Sequence, residues 1–257
     1  MFLAIIFLPL FGFCIASLFG RYLGKKGSAL FTVVLMASVI VLSCFGFYYV
    51  SLTNNIYFVD LGMWVTAGIV KISWGFIFDS LSMSMLLMIS IISFLVHFYS
   101  IGYMGEDPHL PRFMSYLSLF TFFMFILVTG DNFVQLFLGW EGVGLCSYLL
   151  INFWFTRIEA NKAALKALLM NRIGDFGLLL GILLLFYFMR TVDFSVVFIL
   201  APYYMLKTFS IFNVQFEILT CVCLFLFIGS IGKSAQIGLH TWLPSAMEGE
   251  RKLIYIF

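Results

Sequence analysis

The sequence predicts an all-α membrane protein that crosses the bilayer several times. About 63% of its 257 residues are apolar and only 10% are charged, whereas soluble domains carry nearer one quarter charged residues. The chain also contains apolar runs of about 18 residues or more, which is the length needed to cross a hydrocarbon layer of roughly 30 Å. A soluble core could not bury this much apolar surface. The net charge of +2 is too small to indicate a nucleic-acid surface.

Uncharged runs predict about seven transmembrane helices. The second and third are separated by a stretch that alternates loosely around Gly62 and Gly68, which predicts a small β-hairpin outside the membrane. The remaining connections are short and hydrophilic, so no separate soluble domain is expected. The first run has no basic segment before it and is interpreted as a retained span. The seven spans are residues 2–20, 29–50, 80–104, 113–130, 132–155, 164–189 and 217–240.

Basic residues in the connections predict the orientation of the chain. Seven of them follow the first, third and fifth spans, and three follow the second, fourth and sixth. The larger set is expected on the inner side of the membrane, with the N-terminus outside. This set consists of Arg21, Lys25, Lys26, Arg112, Arg157, Lys162 and Lys166.

The cysteines all lie in apolar runs and have no C-x-x-C spacing. They are therefore expected to be buried, reduced thiols without a metal or disulfide role. The five are Cys14, Cys44, Cys146, Cys221 and Cys223.

A few ionisable residues remain at membrane depth after the loops are assigned. A charge at the bilayer centre costs about 2.5 to 3.5 kcal/mol, so such residues usually face the interior of a bundle and mark an ion path. They are Glu141, Arg172, Asp175, Lys233, His97 and His240.

The rise of an α-helix places several of these residues at similar depths. Glu141 is expected about 15 Å into the fifth span, and Asp175 about 13 Å into the sixth from the opposite side. Arg172 lies three residues before Asp175 and is expected to neutralise it. Lys233 is expected about 24 Å from the outer face. Glu141 and Lys233 need not touch, because a water or a third group can lie between them.

Two interpretations of this cluster remain open. Desolvation moves the proton affinities of buried acids and lysines towards the range in which a proton is exchanged, so the cluster can act as a charge-coupled proton switch. Alternatively, it is a static ion-pair network that fixes helix register.

The glycines around Lys233 predict a broken seventh helix, since Gly229, Gly232 and Gly238 precede Pro244. His240 lies in this stretch and suits a proton relay or a polar contact between helices. His97 is expected to be a structural histidine with satisfied hydrogen bonds.

Five long motifs resemble the subunit 5 family of NADH dehydrogenases, the antiporter-like membrane subunits of mitochondrial respiratory complex I. The resemblance runs from the first residues to about Gly249. The motifs are SWGFIFDSLS, HFYSIGYMGEDPHLPRF, TGDNFVQLFLGWEGVGLCSYLLINFWF, NKAALKALLMNRIGDFGLLLGI and GKSAQIGLHTWLPSAMEG.

The resemblance implies proton translocation across the mitochondrial inner membrane by a multi-pass subunit of a proton-translocating NADH:ubiquinone reductase. It assigns proton transfer and charge coupling to Glu141, Lys233, Asp175, Arg172 and His240. The redox cofactors of this family belong to other subunits, so no cofactor, metal or redox chemistry is expected on this chain alone. Its expected partners are other complex I membrane subunits and membrane lipids, and no nucleic acid.

The C-terminal residues depart from the family pattern. Residues 1–249 are expected to form the N-terminal part of the proton-translocating domain, and residues 250–257, ERKLIYIF, have no family counterpart. A split gene, intron read-through and truncation all remain open, and a second chain is expected to supply the missing half. Three functions follow as hypotheses: a complex I proton-channel half, a subunit of a Mrp-type cation/proton antiporter, and a non-transporting fragment.

Overall fold

The computed structural model describes residues 1–205, 207–211 and 214–246, and most of these residues form helices. Consecutive long helices run in opposite directions and pack side by side. Two small antiparallel hairpins interrupt them. The elements are α1 (Phe2–Leu18), α2 (Gly20–Phe47, continued by a π-helical turn Tyr48–Leu52), β1 (Tyr57–Ala67), β2 (Val70–Phe78), α3 (Ser80–Tyr103), α4 (Leu110–Thr129), α5 (Phe133–Ile151), α6 (Ile158–Met189), α7 (Phe194–Tyr204), β3 (Thr208–Ile211), β4 (Val214–Glu217), α8 (Ile218–Lys233) and α9 (Trp242–Ala246).

Five helices of the described residues are long and apolar enough to cross a membrane: α2 with its π-helical turn, α3, α4, α5 and α6. The helices α1 and α8 occupy the first and seventh predicted spans, but they have only 17 and 16 residues. The all-helical membrane class is confirmed, whereas the count of seven spans stays a prediction.

The hairpin predicted between the second and third spans is confirmed as β1 and β2, which pair antiparallel. Gly68 at its tip has φ +60°, and Gly62 has φ +113° beside the register shift between Asp60 and Met63. Both conformations favour glycine because a side chain is strained there. Phe76 and Phe78 of β2 are buried and anchor the hairpin in the bundle.

The connection between α6 and α8 corrects the sequence prediction. Its residues were expected to form a short hydrophilic loop, but they contain α7 and the β3–β4 hairpin. The apolar part of α7 is only 11 residues long, which is too short to cross a bilayer. Span length therefore gave no signal for this helix.

Hydrogen bonds between side chains hold α3 to its neighbours. His97 is fully buried, with Nδ1 2.7 Å from the carbonyl oxygen of Ser93 and Nε2 3.2 Å from Oγ of Ser118 on α4. Ser43 on α2 and Ser90 on α3 lie 3.0 Å apart through their hydroxyls. The structural role predicted for His97 agrees with these contacts.

The cysteines are all free thiols, and Cys146 is buried as expected. Cys44 and Cys223 are exposed, so the expectation of burial is wrong for these two. An apolar run in a membrane helix has a face turned outwards as well as a face turned towards the bundle, and composition does not distinguish them.

Candidate functional site

The charged residues of α5 and α6 meet in one ion pair. Nη1 of Arg172 donates to Oε1 of Glu141 at 2.6 Å. Arg172 makes no ion pair with Asp175, the partner expected from helix spacing, although its charge still acts on that carboxylate. The Arg172 side chain is 62% exposed, whereas Asp175 is buried, with only 5% of its surface exposed. The long guanidinium side chain reaches across to α5 instead of along its own helix.

Trp140 supplies the link between Asp175 and Lys233. Its indole Nε1 donates to Oδ1 of Asp175 at 2.7 Å. Its carbonyl oxygen accepts from Nζ of Lys233 at 3.0 Å. Trp140 precedes Glu141 in the chain, so the bridge between Asp175 and Lys233 lies next to the Glu141–Arg172 ion pair. Trp140 was missed because neither its indole nor its backbone titrates.

Lys233 is the last residue of α8 and points towards α5. Its Nζ also lies 5.6 Å from the centre of the Trp140 ring, within the range of a cation–π contact. No carboxylate of the described residues lies within 4.0 Å of this ammonium. Asp175 and Glu141 are nevertheless close enough to interact with it electrostatically.

Glycines on α5, α6 and α8 let these helices pack closely against their neighbours. A Cβ added to Gly232 on α8 would lie 2.9 Å from Cα of Gly174 on α6. A Cβ added to Gly139 on α5 would lie 2.6 Å from the backbone nitrogen of Leu127 on α4. A Cβ on Gly144 would lie 2.7 Å from Nζ of Lys233. The glycines around Glu141 therefore provide helix packing and space for the lysine.

The predicted break in the seventh span lies directly after Lys233. The chain turns through Ala235, with φ +51°, and Gly238, with φ +103°, before α9 begins. Nε1 of Trp242 donates to the carbonyl oxygen of Gly232 at 3.2 Å and so caps the end of α8. The break places the lysine at a helix end next to non-helical backbone.

His240 lies in this broken segment and is exposed. Its side chain makes no hydrogen bond to any residue that the structure describes, and so it is not joined to the other four predicted residues. Glu141, Arg172, Asp175 and Lys233 are brought together, with Trp140 at their centre.

The four ionisable side chains consist of two acids and two bases. Their formal charges cancel when all are ionised, which lowers the cost of keeping them in an apolar bundle. Moving one charge by a side-chain rotation changes the electrostatic environment of Lys233. The arrangement can therefore couple a change of ion pair to the gain or loss of a proton.

Two family profiles match this sequence. Residues 130–252 match the family described as "NADH:quinone oxidoreductase/Mrp antiporter, TM". Residues 64–114 match the family described as "NADH-Ubiquinone oxidoreductase (complex I), chain 5 N-terminus". The first match contains all five predicted site residues.

Curated relatives and solved structures agree with these matches. The chain is 55% identical over 254 residues to NADH-ubiquinone oxidoreductase chain 5 of Marchantia polymorpha, covering 97% of this chain and 38% of the relative. It is 56% identical over 250 residues to chain 5 of Arabidopsis thaliana, covering 97% and 37%. The archaeal membrane-bound sulfane sulfur reductase shares the fold, with a TM-score of 0.78 at 19% identity over 99% of this chain and 49% of that one. The Mrp complex from Dietzia sp. gives the same TM-score at 21% identity, over 95% and 25%.

The fold and the charged residues at its centre define a polytopic membrane subunit of the antiporter-like class. Residues 130–252 are similar to the NADH:quinone oxidoreductase/Mrp antiporter membrane family, and 97% of the chain is similar to part of NADH-ubiquinone oxidoreductase chain 5. The chain spans a little under two fifths of the length of the chain 5 relatives named above.

Proposed function

We propose that this chain contributes the N-terminal part of a proton-translocating membrane subunit of respiratory NADH:ubiquinone oxidoreductase in the mitochondrial inner membrane. The similarity to chain 5 relatives over 97% of this chain supports this assignment. The observation that carries the mechanism is the run of contacts from Arg172 through Glu141 and Trp140 to Asp175 and Lys233. Loading and release of a proton at Lys233 is the activity that this geometry favours.

A shift of the Arg172 guanidinium is the simplest way to drive this step. While Arg172 pairs with Glu141, the negative charge of Asp175 is left to stabilise a protonated Lys233. A swing of the guanidinium one helical turn along α6 neutralises Asp175 and frees Glu141. The ammonium then loses part of its stabilisation and releases its proton. This cycle moves a proton without any redox step on the chain itself.

NADH oxidation and quinone reduction belong, in this proposal, to other subunits of the enzyme. We expect that this chain carries no cofactor of its own. Its contribution to the enzyme is the coupling of a conformational change to proton movement at Lys233.

The exposed part of the ion pair supports a partner on the α5–α6 face. Arg172 and Glu141 have side-chain exposures of 62% and 28% at membrane depth, and charges facing lipid are costly. We propose that another membrane subunit, or a second chain that carries the rest of the relatives' length, covers this face. We further propose that α1 and α8 also cross the bilayer, which gives seven spans with the N-terminus outside.

The test is proton pumping coupled to NADH oxidation in vesicles that contain the assembled enzyme. Glu141→Gln and Lys233→Ala are expected to lower the number of protons pumped per NADH while the chain still co-migrates with the large assembly on native gels. Lys162→Ala is the matched control, because Lys162 pairs with Glu159 at the surface. Unchanged pumping in both site variants, with incorporation verified, would identify a static ion-pair network.

The Mrp-type alternative rests on the shared family profile. It predicts sodium-dependent proton exchange in vesicles that lack NADH oxidation. The non-transporting alternative predicts that the chain is missing from the membrane assembly. Either result contradicts the complex I assignment.

A further inference from the structure

The corner between α1 and α2 carries an exposed apolar surface. Gly20 turns the chain against the α4 N-terminus, since an added Cβ would lie 2.9 Å from Cβ of Pro111. Leu18, Phe19 and Tyr22 are 72%, 53% and 88% exposed. In a membrane protein, such side chains at a helix end are suited to the boundary between acyl chains and headgroups.

Three cations lie on the same corner. Arg21, Lys25 and Lys26 are all exposed. In the part of the chain that the structure describes, none of them has a carboxylate within 4.0 Å. Nζ of Lys25 lies 3.4 Å from the carbonyl oxygen of Glu106, which joins the corner to the loop that follows α3. The corner therefore presents positive charge that is not paired with a carboxylate of the described residues.

A shallow apolar groove of about 990 Å³ lies open on the outward face of α3 near this loop, and its lining residues all belong to α3. It ends at Tyr103, three residues before Glu106. The Tyr99 and Tyr103 rings stack with centroids 5.9 Å apart at the C-terminal end of α3, and tyrosines at the ends of membrane helices favour the interface with the headgroups. A Cβ on Gly102 would meet nothing within 4 Å, so the groove is open there.

We infer that this corner and groove form a binding site for an anionic phospholipid. The headgroup phosphate is held by Arg21, Lys25 and Lys26, and one acyl chain lies in the α3 groove. The positive charge selects an anionic headgroup, since each basic residue near an anionic membrane surface contributes about fivefold to binding. The adjoining apolar groove selects a lipid over a soluble anion or an acidic protein segment. Both contacts lie at the end of the bundle that carries the seven basic loop residues.

The test is a titration of the purified full chain in detergent, followed by native mass spectrometry. The probes are phosphatidylglycerol, which is anionic, and phosphatidylcholine, which is not. The unmodified chain is expected to bind its first phosphatidylglycerol more tightly than its first phosphatidylcholine. The double variant Lys25→Gln/Lys26→Gln is expected to weaken phosphatidylglycerol binding about thirtyfold and to leave phosphatidylcholine unchanged.

Two further variants separate this site from general surface charge. Lys162→Gln/Lys166→Gln removes the same charge from the start of α6 and is expected to leave the first phosphatidylglycerol in place. Gly102→Leu places a larger side chain in the groove, where an added Cβ meets nothing within 4 Å, and is expected to weaken both lipids. Equal losses in the two double-lysine variants would overturn the headgroup assignment. Unchanged lipid binding in Gly102→Leu would overturn the acyl-chain assignment.

Discussion

Trp140 donates its indole hydrogen to Asp175 across the α5–α6 interface, with the nitrogen and oxygen 2.7 Å apart. The same residue accepts a hydrogen bond from Lys233 through its backbone carbonyl. One uncharged residue thus contacts a buried acid and a partly buried base on two other helices. Its position next to Glu141 extends the connection to the ion pair with Arg172.

Replacing the indole tests this connection. Trp140→Phe keeps an aromatic ring but removes the donor to Asp175, so we expect fewer protons pumped per NADH with normal assembly. A loss of about tenfold in the proton-transfer rate corresponds to one charge-assisted hydrogen bond. Trp154→Phe is the matched control, because its indole donates to Asp107 at the basic end of the bundle at 3.3 Å. Equal effects of the two variants on pumping would argue against the Trp140 link.

The space beside Gly144 is predicted to position the lysine. In Gly144→Ala the new methyl would lie 2.7 Å from Nζ of Lys233, so the ammonium must move. A displacement of about 1 Å can slow a positioned reaction by up to about a hundredfold. Pumping measured in vesicles is expected to fall accordingly. Gly27→Ala, whose nearest neighbour would be a side-chain atom at 3.4 Å, should pump normally.

The ion pair between Glu141 and Arg172 is predicted to show strong coupling in a double-mutant cycle. Arg172→Gln leaves Glu141 without its partner and is expected to destabilise the folded chain by about 1–3 kcal/mol. The double variant Glu141→Gln/Arg172→Gln should recover part of that loss. The free energies of unfolding in denaturant of the unmodified chain, of Arg172→Gln, of Glu141→Gln and of the double variant give the coupling energy. The exposed Lys162–Glu159 pair serves as the reference cycle, with an expected coupling of about 0.2–0.5 kcal/mol. The same small value for both pairs would contradict the prediction.

Close packing of α6 on α8 predicts intolerance of larger residues. Gly232→Ala would bring a methyl to 2.9 Å from Cα of Gly174, a backbone atom that cannot rotate away. Overpacking of this kind costs about 1–3 kcal/mol, and thermal unfolding in detergent should show a lower midpoint. Gly27→Ala is the control, since its nearest neighbour would be a side-chain atom at 3.4 Å. A midpoint unaffected by Gly232→Ala would show that the helices can separate at no cost.

Two acids in the connections before α5 and α7 predict a pH dependence of stability. Burial raises the pKa of Asp131, and the negative charge of Asp193 raises it further. Burial also raises the pKa of Asp193. The folded chain therefore binds protons more tightly than the unfolded chain, so its stability rises as the pH falls through the raised pKa values and levels off below the ordinary pKa of an aspartate.

Thermal unfolding of the chain in detergent between about pH 4 and pH 7 measures this effect. Asp193→Asn should flatten the rise, since it removes one titrating group and the repulsion on Asp131. Asp60→Asn on the exposed β1 strand is the control and should leave the slope unchanged. A slope that Asp193→Asn does not alter would assign the pH dependence to other groups.

Much of the fold could be read from the sequence because the responsible signals are local. The lengths of the apolar runs located the helices. Glycines in the sequence marked the β1–β2 hairpin and the break after α8, and several of these glycines have positive φ in the structure. The helix α7 escaped because 11 apolar residues resemble neither a span nor a loop. Trp140 escaped because the search for site residues considered side chains that titrate, and its indole and carbonyl do not.

The sequence by itself determined which residues must be accommodated at the centre of the bundle. Glu141, Arg172, Asp175 and Lys233 stand out because charge in an apolar run is expensive wherever the run is placed. Only the tertiary structure decided which of them are partners. Helix spacing put Arg172 beside Asp175, but the guanidinium pairs with Glu141 on the neighbouring helix α5, with nitrogen and oxygen 2.6 Å apart. Partner choice depends on distances between helices, and these arise from packing rather than from separation along the chain.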